Sequence, residues 1–177
     1  GTTILVTIMH ANNEVGTIEP LAEIGALARE RGIAFHTDAA QSVGKLPTRV
    51  GELNVDLLTI AGHKLYAPKG VGALYIREGT QVAKLIHGAG HESGRRAGTE
   101  NVPYMVALGK ACELAEAWLA ENHPGVEQLR DALHARLAAD PGGVHLNGHP
   151  ERRLPNTLNL SFEGVDSHKL ISQLAGV

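Results

Sequence analysis

The chain has 177 residues, enough for one domain of ordinary size or for one domain and part of a second. A formal net charge of −3 gives no electrostatic basis for binding nucleic acid or an anionic membrane, and no apolar run approaches the roughly 20 residues that span a bilayer. The single cysteine, Cys112, excludes an internal disulfide framework and favours the cytoplasm as location.

The first half of the chain alternates predicted strands with helical segments. Residues 3–9 are apolar and β-branched, which predicts a buried strand, and a polar loop at 10–16 follows. A helix is predicted to begin at Glu19-Pro20 and to end at Gly32. Further strands are predicted at residues 33–37, 55–60 and 71–76. This order indicates an α/β fold with a mostly parallel, helix-covered sheet.

The second half has a different pattern. A glycine-rich loop covers residues 87–101, and the predicted elements that follow are an Ala/Leu-rich helix at 103–120, a second helix from Pro124 to about 137, a turn at 140–143, an antiparallel strand at 154–162 and a helix at 165–174. The change predicts a domain boundary, with residues 1–122 in one domain and 123–177 in another. Both ends are abrupt, so we expect a piece of a longer protein.

The candidate catalytic residues follow two predicted strands. Ligands of open parallel sheets bind at the carboxyl ends of the strands, and Asp38 and Lys64 fall at two neighbouring ends. The pair is consistent with a salt bridge. It also fits pyridoxal-phosphate (PLP) chemistry, in which a lysine forms an imine with the cofactor and an acid keeps the pyridine nitrogen protonated. Spacing alone leaves both readings open.

Several longer motifs carry a resemblance to a known family. Residues 9–16 (MHANNEVG), 36–41 (HTDAAQ), 62–75 (GHKLYAPKGVGALY), 96–101 (RAGTEN) and 154–159 (LPNTLN) resemble the cysteine desulfurases in sequence and in order. These are fold-type I PLP enzymes, related to aminotransferases. The resemblance implies that residues 1–122 are part of the large PLP-binding domain and that residues 123–177 begin a smaller α+β domain.

The resemblance also implies roles for individual residues. Lys64 corresponds to the Schiff-base lysine and Asp38 to the partner of the pyridinium nitrogen. Gln41 corresponds to the residue that hydrogen-bonds the phenolic oxygen of the cofactor, and Asn13 lies near that oxygen and the substrate carboxylate. His63 helps to hold the phosphate.

A homodimer is implied by Thr99, which resembles the threonine that reaches the cofactor phosphate of the neighbouring subunit. One departure concerns Ala61, because many family members have a serine there whose hydroxyl contacts the phosphate. Phosphate binding must therefore depend on other groups in this chain, including backbone N–H donors.

The implied reaction converts L-cysteine to L-alanine and transfers sulfur to an enzyme cysteine as a persulfide. An acceptor protein, such as an iron–sulfur scaffold or a tRNA-modifying protein, then receives the sulfur. We expect the nucleophilic cysteine and the substrate-binding arginine outside these 177 residues, so the chain alone is expected to be inactive. Cys112 lies in an Ala/Leu-rich helix, which indicates a packed thiol.

Two other functions remain as alternatives. A selenocysteine lyase shares these motifs, and Ala61 fits it equally well. A stand-alone, non-catalytic α/β domain is the alternative from a different class. No metal site is expected, because the histidines at 87 and 91 lack nearby cysteines or a helix that fixes their spacing.

Overall fold

The computed structural model describes residues 1–139 and 142–174. The first part contains β1 (Leu5–Met9), α1 (Leu21–Glu30), β2 (Ala34–Asp38), β3 (Leu57–Ala61), a 3₁₀ turn (Gly62–Leu65) and β4 (Gly72–Ile76). The second part contains α2 (His91–Gly94), α3 (Val102–Ala138), β5 (Val144–Leu146), β6 (Leu160–Phe162) and α4 (Ser167–Gln173).

The main sheet has the strand order β1-β2-β3-β4. The pairs β1–β2 and β2–β3 are parallel, whereas β4 runs antiparallel to β3. The predicted α/β fold with a mostly parallel sheet is confirmed. Residue Asp38 is the last residue of β2 rather than the first residue of the loop, and its partners in the ladder are Met9 and Thr59.

Helix α1 covers one face of this sheet. Leu21 and Ala28 lie on its buried side and contact Phe35 and Leu58, which point from the sheet towards the helix. Full burial of a side chain such as Leu21 or Phe35 contributes about 1.5–3 kcal/mol to stability. The helix ends as predicted, because Gly32 adopts the positive φ (64°) that follows many helix C-termini.

The opposite face of the sheet is open, so the expected cover of helices is found on one face of the described sheet. Side chains alternate along strands, which places Leu5, Asp38 and Leu74 on the face away from α1. All three are exposed. Helix α3 does not cover this face, because its contacts are with the 3₁₀ turn and with β5.

Helix α3 is one element of 37 residues, and the prediction of two helices separated at Pro124 is wrong. The helix begins where the Asn101 side chain accepts a hydrogen bond from the Tyr104 N–H. It continues because both halves are held by tertiary contacts: Leu108 packs with Leu65, and the buried Arg130 donates to the Leu154 carbonyl at 2.8 Å. The division into two domains at residue 122 stays a prediction.

The strand predicted at 154–162 is wrong in length, since only β6 at its end is a strand, paired with β5. The preceding residues bond elsewhere: Leu154 is buried and its N–H donates to the Gly16 carbonyl at 2.8 Å. Of the predicted turn at 140–143, the first two residues lie outside the described residues. None of the helices in the described ranges is both long and apolar enough to cross a bilayer.

Candidate functional site

Three loops leave the carboxyl edge of the main sheet side by side, one each after β1, β2 and β3. The register pairs Asp38 with Met9 on one side and with Thr59 on the other. The Asp38 carboxylate is exposed, and its Oδ1 accepts a hydrogen bond from the Ala40 N–H at 2.8 Å. This bond turns the chain sharply after the strand and leaves carboxylate lone pairs free for another donor.

The Lys64 side chain is carried by the 3₁₀ turn that follows β3. The turn is anchored by the Gly62 N–H, which donates to the Val71 carbonyl at 3.0 Å. Only glycine fits there, because a Cβ at residue 62 would lie 2.6 Å from that carbonyl oxygen. The turn ends at Tyr66, which adopts a positive φ of 62°. Lys64 is therefore held on a short, rigid element directly after the strand next to Asp38.

A cavity of about 680 Å³ lies between this 3₁₀ turn and helix α3. Lys64 and Lys45 line it, together with mainly apolar side chains that include Leu65, Ala111 and Trp118. The side chains of the other predicted site residues are not among those that line the cavity, as far as the structure describes them. The lysine therefore faces an apolar space while the acid faces solvent at the sheet edge.

Lys45 connects the cavity lined by Lys64 to Gln41, which lies in the turn after β2. This lysine was not identified as a site residue from the sequence. Its Nζ donates to the Gln41 carbonyl at 3.0 Å, four residues earlier. Burial lowers the pKa of Lys45, and the positive charge of Lys64 lowers it further. The two ammonium groups are thus close enough to repel each other.

A second feature that the sequence did not reveal is a buried pair, His10 and Ser42. The His10 Nδ1 and the Ser42 Oγ are 2.8 Å apart, and both residues are buried. Burial lowers the pKa of His10, which favours its neutral form. The pair joins the loop after β1 to the turn after β2. Their positions next to predicted strand ends were the available signal.

Asn13 lies exposed in the loop after β1. The loop is shaped by Asn12, whose Oδ1 accepts hydrogen bonds from the backbone N–H groups of Glu14 and Val15, both at 2.9 Å. The C-terminal segment also holds it, because the Asn159 amide donates to the Glu14 carbonyl at 3.2 Å. These bonds hold the loop that carries Asn13 at the same sheet edge as Asp38.

A row of polar side chains crosses the open face of the sheet near Asp38. The His36 Nδ1 lies 2.7 Å from the Thr7 hydroxyl, and its Nε2 lies 2.8 Å from the Thr59 hydroxyl. Thr59 is also the ladder partner of Asp38. The row ties β1, β2 and β3 together by side chains where no described helix covers them.

The remaining two predicted site residues, His63 and Thr99, are connected less directly to the carboxyl edge of the sheet. His63 is exposed on the 3₁₀ turn beside Lys64. Thr99 is exposed in the loop before α3, and the described hydrogen bonds do not connect it to the sheet edge. That loop is held by its own contacts, including the Arg96–Glu92 ion pair at 3.2 Å. Within residues 1–139 and 142–174, no cluster of three or more potential metal ligands is found.

Comparison with protein families gives a match over nearly the entire chain. The family model described as aminotransferase class-V matches residues 1–176. Among curated proteins, the chain is similar to a protein named cysteine desulfurase IscS from Methanosarcina thermophila, with 52% identity over 96% of this chain and 42% of the relative. A protein of the same name from Dictyoglomus turgidum is 49% identical over 97% of this chain and 44% of the relative.

Solved structures give the same picture. A NifS-like protein matches with a TM-score of 0.90 and 41% identity, over 98% of this chain and 48% of that one. A structure described as SspA in complex with cysteine matches with a TM-score of 0.77 and 39% identity, over 96% of this chain and 47% of that one. The chain thus spans less than half the length of these curated relatives and structures.

Proposed function

The chain belongs to the class-V aminotransferase family, and we propose that it supplies the cofactor-attachment region of a PLP-dependent cysteine desulfurase. Enzymes of this family depend on PLP. The observation that carries the proposal is the position of Asp38 and Lys64 at the ends of neighbouring parallel strands, β2 and β3. An acid and an amine are the two groups that PLP requires at opposite ends of its ring.

The residues at the sheet edge fit the cofactor chemically. The Asp38 carboxylate has free lone pairs that can accept a hydrogen bond from a pyridinium N–H and so keep that nitrogen protonated, and Lys64 provides the amine for the aldehyde. The absence of a side chain at Gly62 lets the turn that carries this amine pack closely against the backbone of Val71, just before β4. When bound, PLP supplies an electron sink for bond cleavage next to the substrate nitrogen.

We assign the other polar side chains by their places around this edge. The Gln41 and Asn13 amides can donate to the phenolic oxygen, and Asn13 can also reach the substrate carboxylate. His63, adjacent to Lys64, can donate to the phosphate. Once the substrate occupies the cofactor, the free amine of Lys64 is the group placed to move protons. Its exposure and the open cavity leave room for that movement.

L-Cysteine is the proposed substrate of the whole protein. The relatives named above are cysteine desulfurases, and the SspA structure holds cysteine. These names favour desulfurase activity over the alternative of a selenocysteine lyase. Cys112 is not proposed as the nucleophile, because it is half-buried in α3 and burial raises the pKa of its thiol. Comparing alanine release from cysteine and from selenocysteine separates the two activities.

We also propose a cytoplasmic homodimer that passes sulfur to an acceptor protein. Thr99 lies in the sequence between two sets of exposed apolar side chains, Leu85 and Ile86 in the preceding loop and Val102, Met105 and Val106 at the start of α3. A second copy is the expected cover, because exposed apolar side chains in this number are typical of interaction sites. Sedimentation of the chain and of Val106→Asp tests this: the variant should be monomeric if these side chains form the interface.

Attachment of PLP to one lysine is the decisive test. The chain is incubated with PLP, reduced with borohydride and mapped by peptide mass spectrometry, with the absorption spectrum recorded before reduction. Labelling should concentrate on Lys64, and Lys64→Ala should lose the absorption band. Lys69→Ala, which removes an exposed lysine from the next turn, should keep it. Equal labelling of both lysines, or an unchanged band in Lys64→Ala, would contradict the proposal and leave a non-catalytic α/β domain.

A further inference from the structure

Two buried polar side chains join the loops after β1 and β2, next to the residues of the candidate cofactor site. His10 is 4% exposed and Ser42 is fully buried. Their 2.8 Å hydrogen bond joins residues 32 positions apart in the sequence. Buried polar groups are costly unless they are paired, so the pair imposes a specific arrangement on the two loops that carry it.

The His10 residue holds the Asp38 segment by its backbone as well as by its ring. Its N–H donates to the Asp38 carbonyl at 2.9 Å, which extends the β1–β2 ladder one residue past Met9. The Ser42 hydroxyl lies 3.3 Å from the Ala39 carbonyl, so it can donate there and accept from a protonated His10 Nδ1. Both ends of the turn after β2 are therefore attached to this one histidine.

The turn between these attachments contains both residues assigned to the cofactor ring. Asp38 is its first residue, and Gln41 directly precedes Ser42. Inside the turn, the Ser42 and Val43 N–H groups both bond the Ala39 carbonyl. The turn is thus a compact unit, and its angle to the sheet depends on the attachment at its far end.

We propose that His10 is a positioning residue which, through Ser42, sets the direction of the Asp38–Gln41 turn towards the cofactor ring. The role rests on the proposed PLP site. It does not require His10 to contact substrate or cofactor. Backbone bonds hold the start of the turn, from the His10 N–H to the Asp38 carbonyl and from the Ala39 N–H to the Thr59 carbonyl at 3.0 Å. The His10–Ser42 bond adds a side-chain attachment at the far end of the turn, directly after Gln41.

The test uses two substitutions at residue 10 that differ only in reach. In His10→Asn the amide takes the place of the ring Nδ1 and can keep the bond to Ser42. In His10→Gln the amide reaches the position of Nε2 and loses that bond. Ser42→Ala removes the partner hydroxyl. Thr37→Val is the matched control, because Thr37 is equally buried in β2 and its hydroxyl donates to the Ile8 carbonyl of the neighbouring strand β1 at 2.8 Å.

Two readouts are needed, one with the cofactor and one without. The PLP concentration that gives half-maximal labelling of Lys64 should rise about fivefold in Ser42→Ala and His10→Gln, as expected for one lost hydrogen bond. It should change less than about twofold in His10→Asn and Thr37→Val. Without PLP, amide exchange at residues 39–43 should accelerate in the first two variants and stay unchanged in the others.

The outcomes separate this inference from the proposed function. If the unchanged chain labels at Lys64 but Ser42→Ala and His10→Gln behave like Thr37→Val, the positioning role is wrong. Unchanged amide exchange in those two variants also refutes it. If Lys64 does not label but exchange responds as expected, the PLP proposal fails while the coupling of His10 to the turn stands. If His10→Gln does not fold, the comparison of Ser42→Ala with Thr37→Val in the same two readouts still tests the positioning role.

Discussion

Gly62→Ala tests how tightly the lysine-bearing turn is packed. A Cβ at residue 62 would lie 2.6 Å from the Val71 carbonyl oxygen, closer than the 3.0 Å that real Cβ atoms respect, and 3.0 Å from a Val71 methyl. The oxygen cannot simply retreat, because it accepts the Gly62 N–H at 3.0 Å. Relieving the contact therefore moves the turn and Lys64 with it.

The expected cost is that of overpacking, about 1–3 kcal/mol, less about 0.4–1 kcal/mol gained because alanine restricts the unfolded chain. The middle of these two ranges gives a net cost of about 1.3 kcal/mol. A chain of this length loses about 2–4 °C in Tm per kcal/mol, so Gly62→Ala should melt about 3–5 °C lower. Labelling of Lys64 by PLP should also fall. Thermal melting followed by circular dichroism measures the first effect, and peptide mapping the second.

Gly109→Ala is the control, because it adds the same methyl group in the exposed interior of α3 with no atom within 4 Å. It should stabilise the helix by about 0.5–1 kcal/mol. The two substitutions should therefore shift Tm in opposite directions. A Tm for Gly62→Ala at or above that of the unchanged chain would refute the close approach at Val71 and the rigid placement of Lys64.

Three further predictions concern charge and thiol chemistry. Burial lowers the pKa of His10, so the imidazole binds a proton more readily in the unfolded chain than in the folded one. The free energy of unfolding should therefore fall as the pH drops below 6.5. Urea melts at a series of pH values measure this, and His10→Asn should show a weaker dependence on pH in that range. Asp131 accepts hydrogen bonds from the buried guanidinium groups of Arg130 and Arg153, so Asp131→Asn should lower the free energy of unfolding by about 1–3 kcal/mol. Glu52→Gln, which removes one partner of an exposed ion pair, should lower it by less than about 1 kcal/mol. Burial raises the pKa of Cys112, so iodoacetamide should alkylate it slowly at neutral pH and faster in urea, with mass spectrometry as the readout.

The placement of Asp38 and Lys64 could be predicted because it depends on strand order alone. Once residues 33–37 and 55–60 are recognised as neighbouring parallel strands, the residues after them must share an edge. The observed strands differ from these ranges by one or two residues, and the conclusion does not change. The same rule places Asn13 after β1.

Features that depend on three-dimensional turn geometry were beyond sequence reasoning. The positions of His10 and Ser42 after neighbouring strands place both near one sheet edge, but their contact also requires the register of β1 against β2. The 37-residue helix was missed for the opposite reason: proline was given its usual weight as a helix start, while tertiary contacts hold α3 on both sides of residue 124. In α3, tertiary contacts override the local propensity of proline to begin a new helix.

The open face of the sheet bears on how strongly this chain alone can hold a cofactor. Asp38 points to that face, together with the exposed apolar side chains of Leu5 and Leu74. A carboxylate in contact with bulk water holds a proton on a ring nitrogen less firmly than one in a low-dielectric site, because water competes for both groups. The 177-residue chain should therefore attach PLP at Lys64 while binding it more weakly than its longer relatives do.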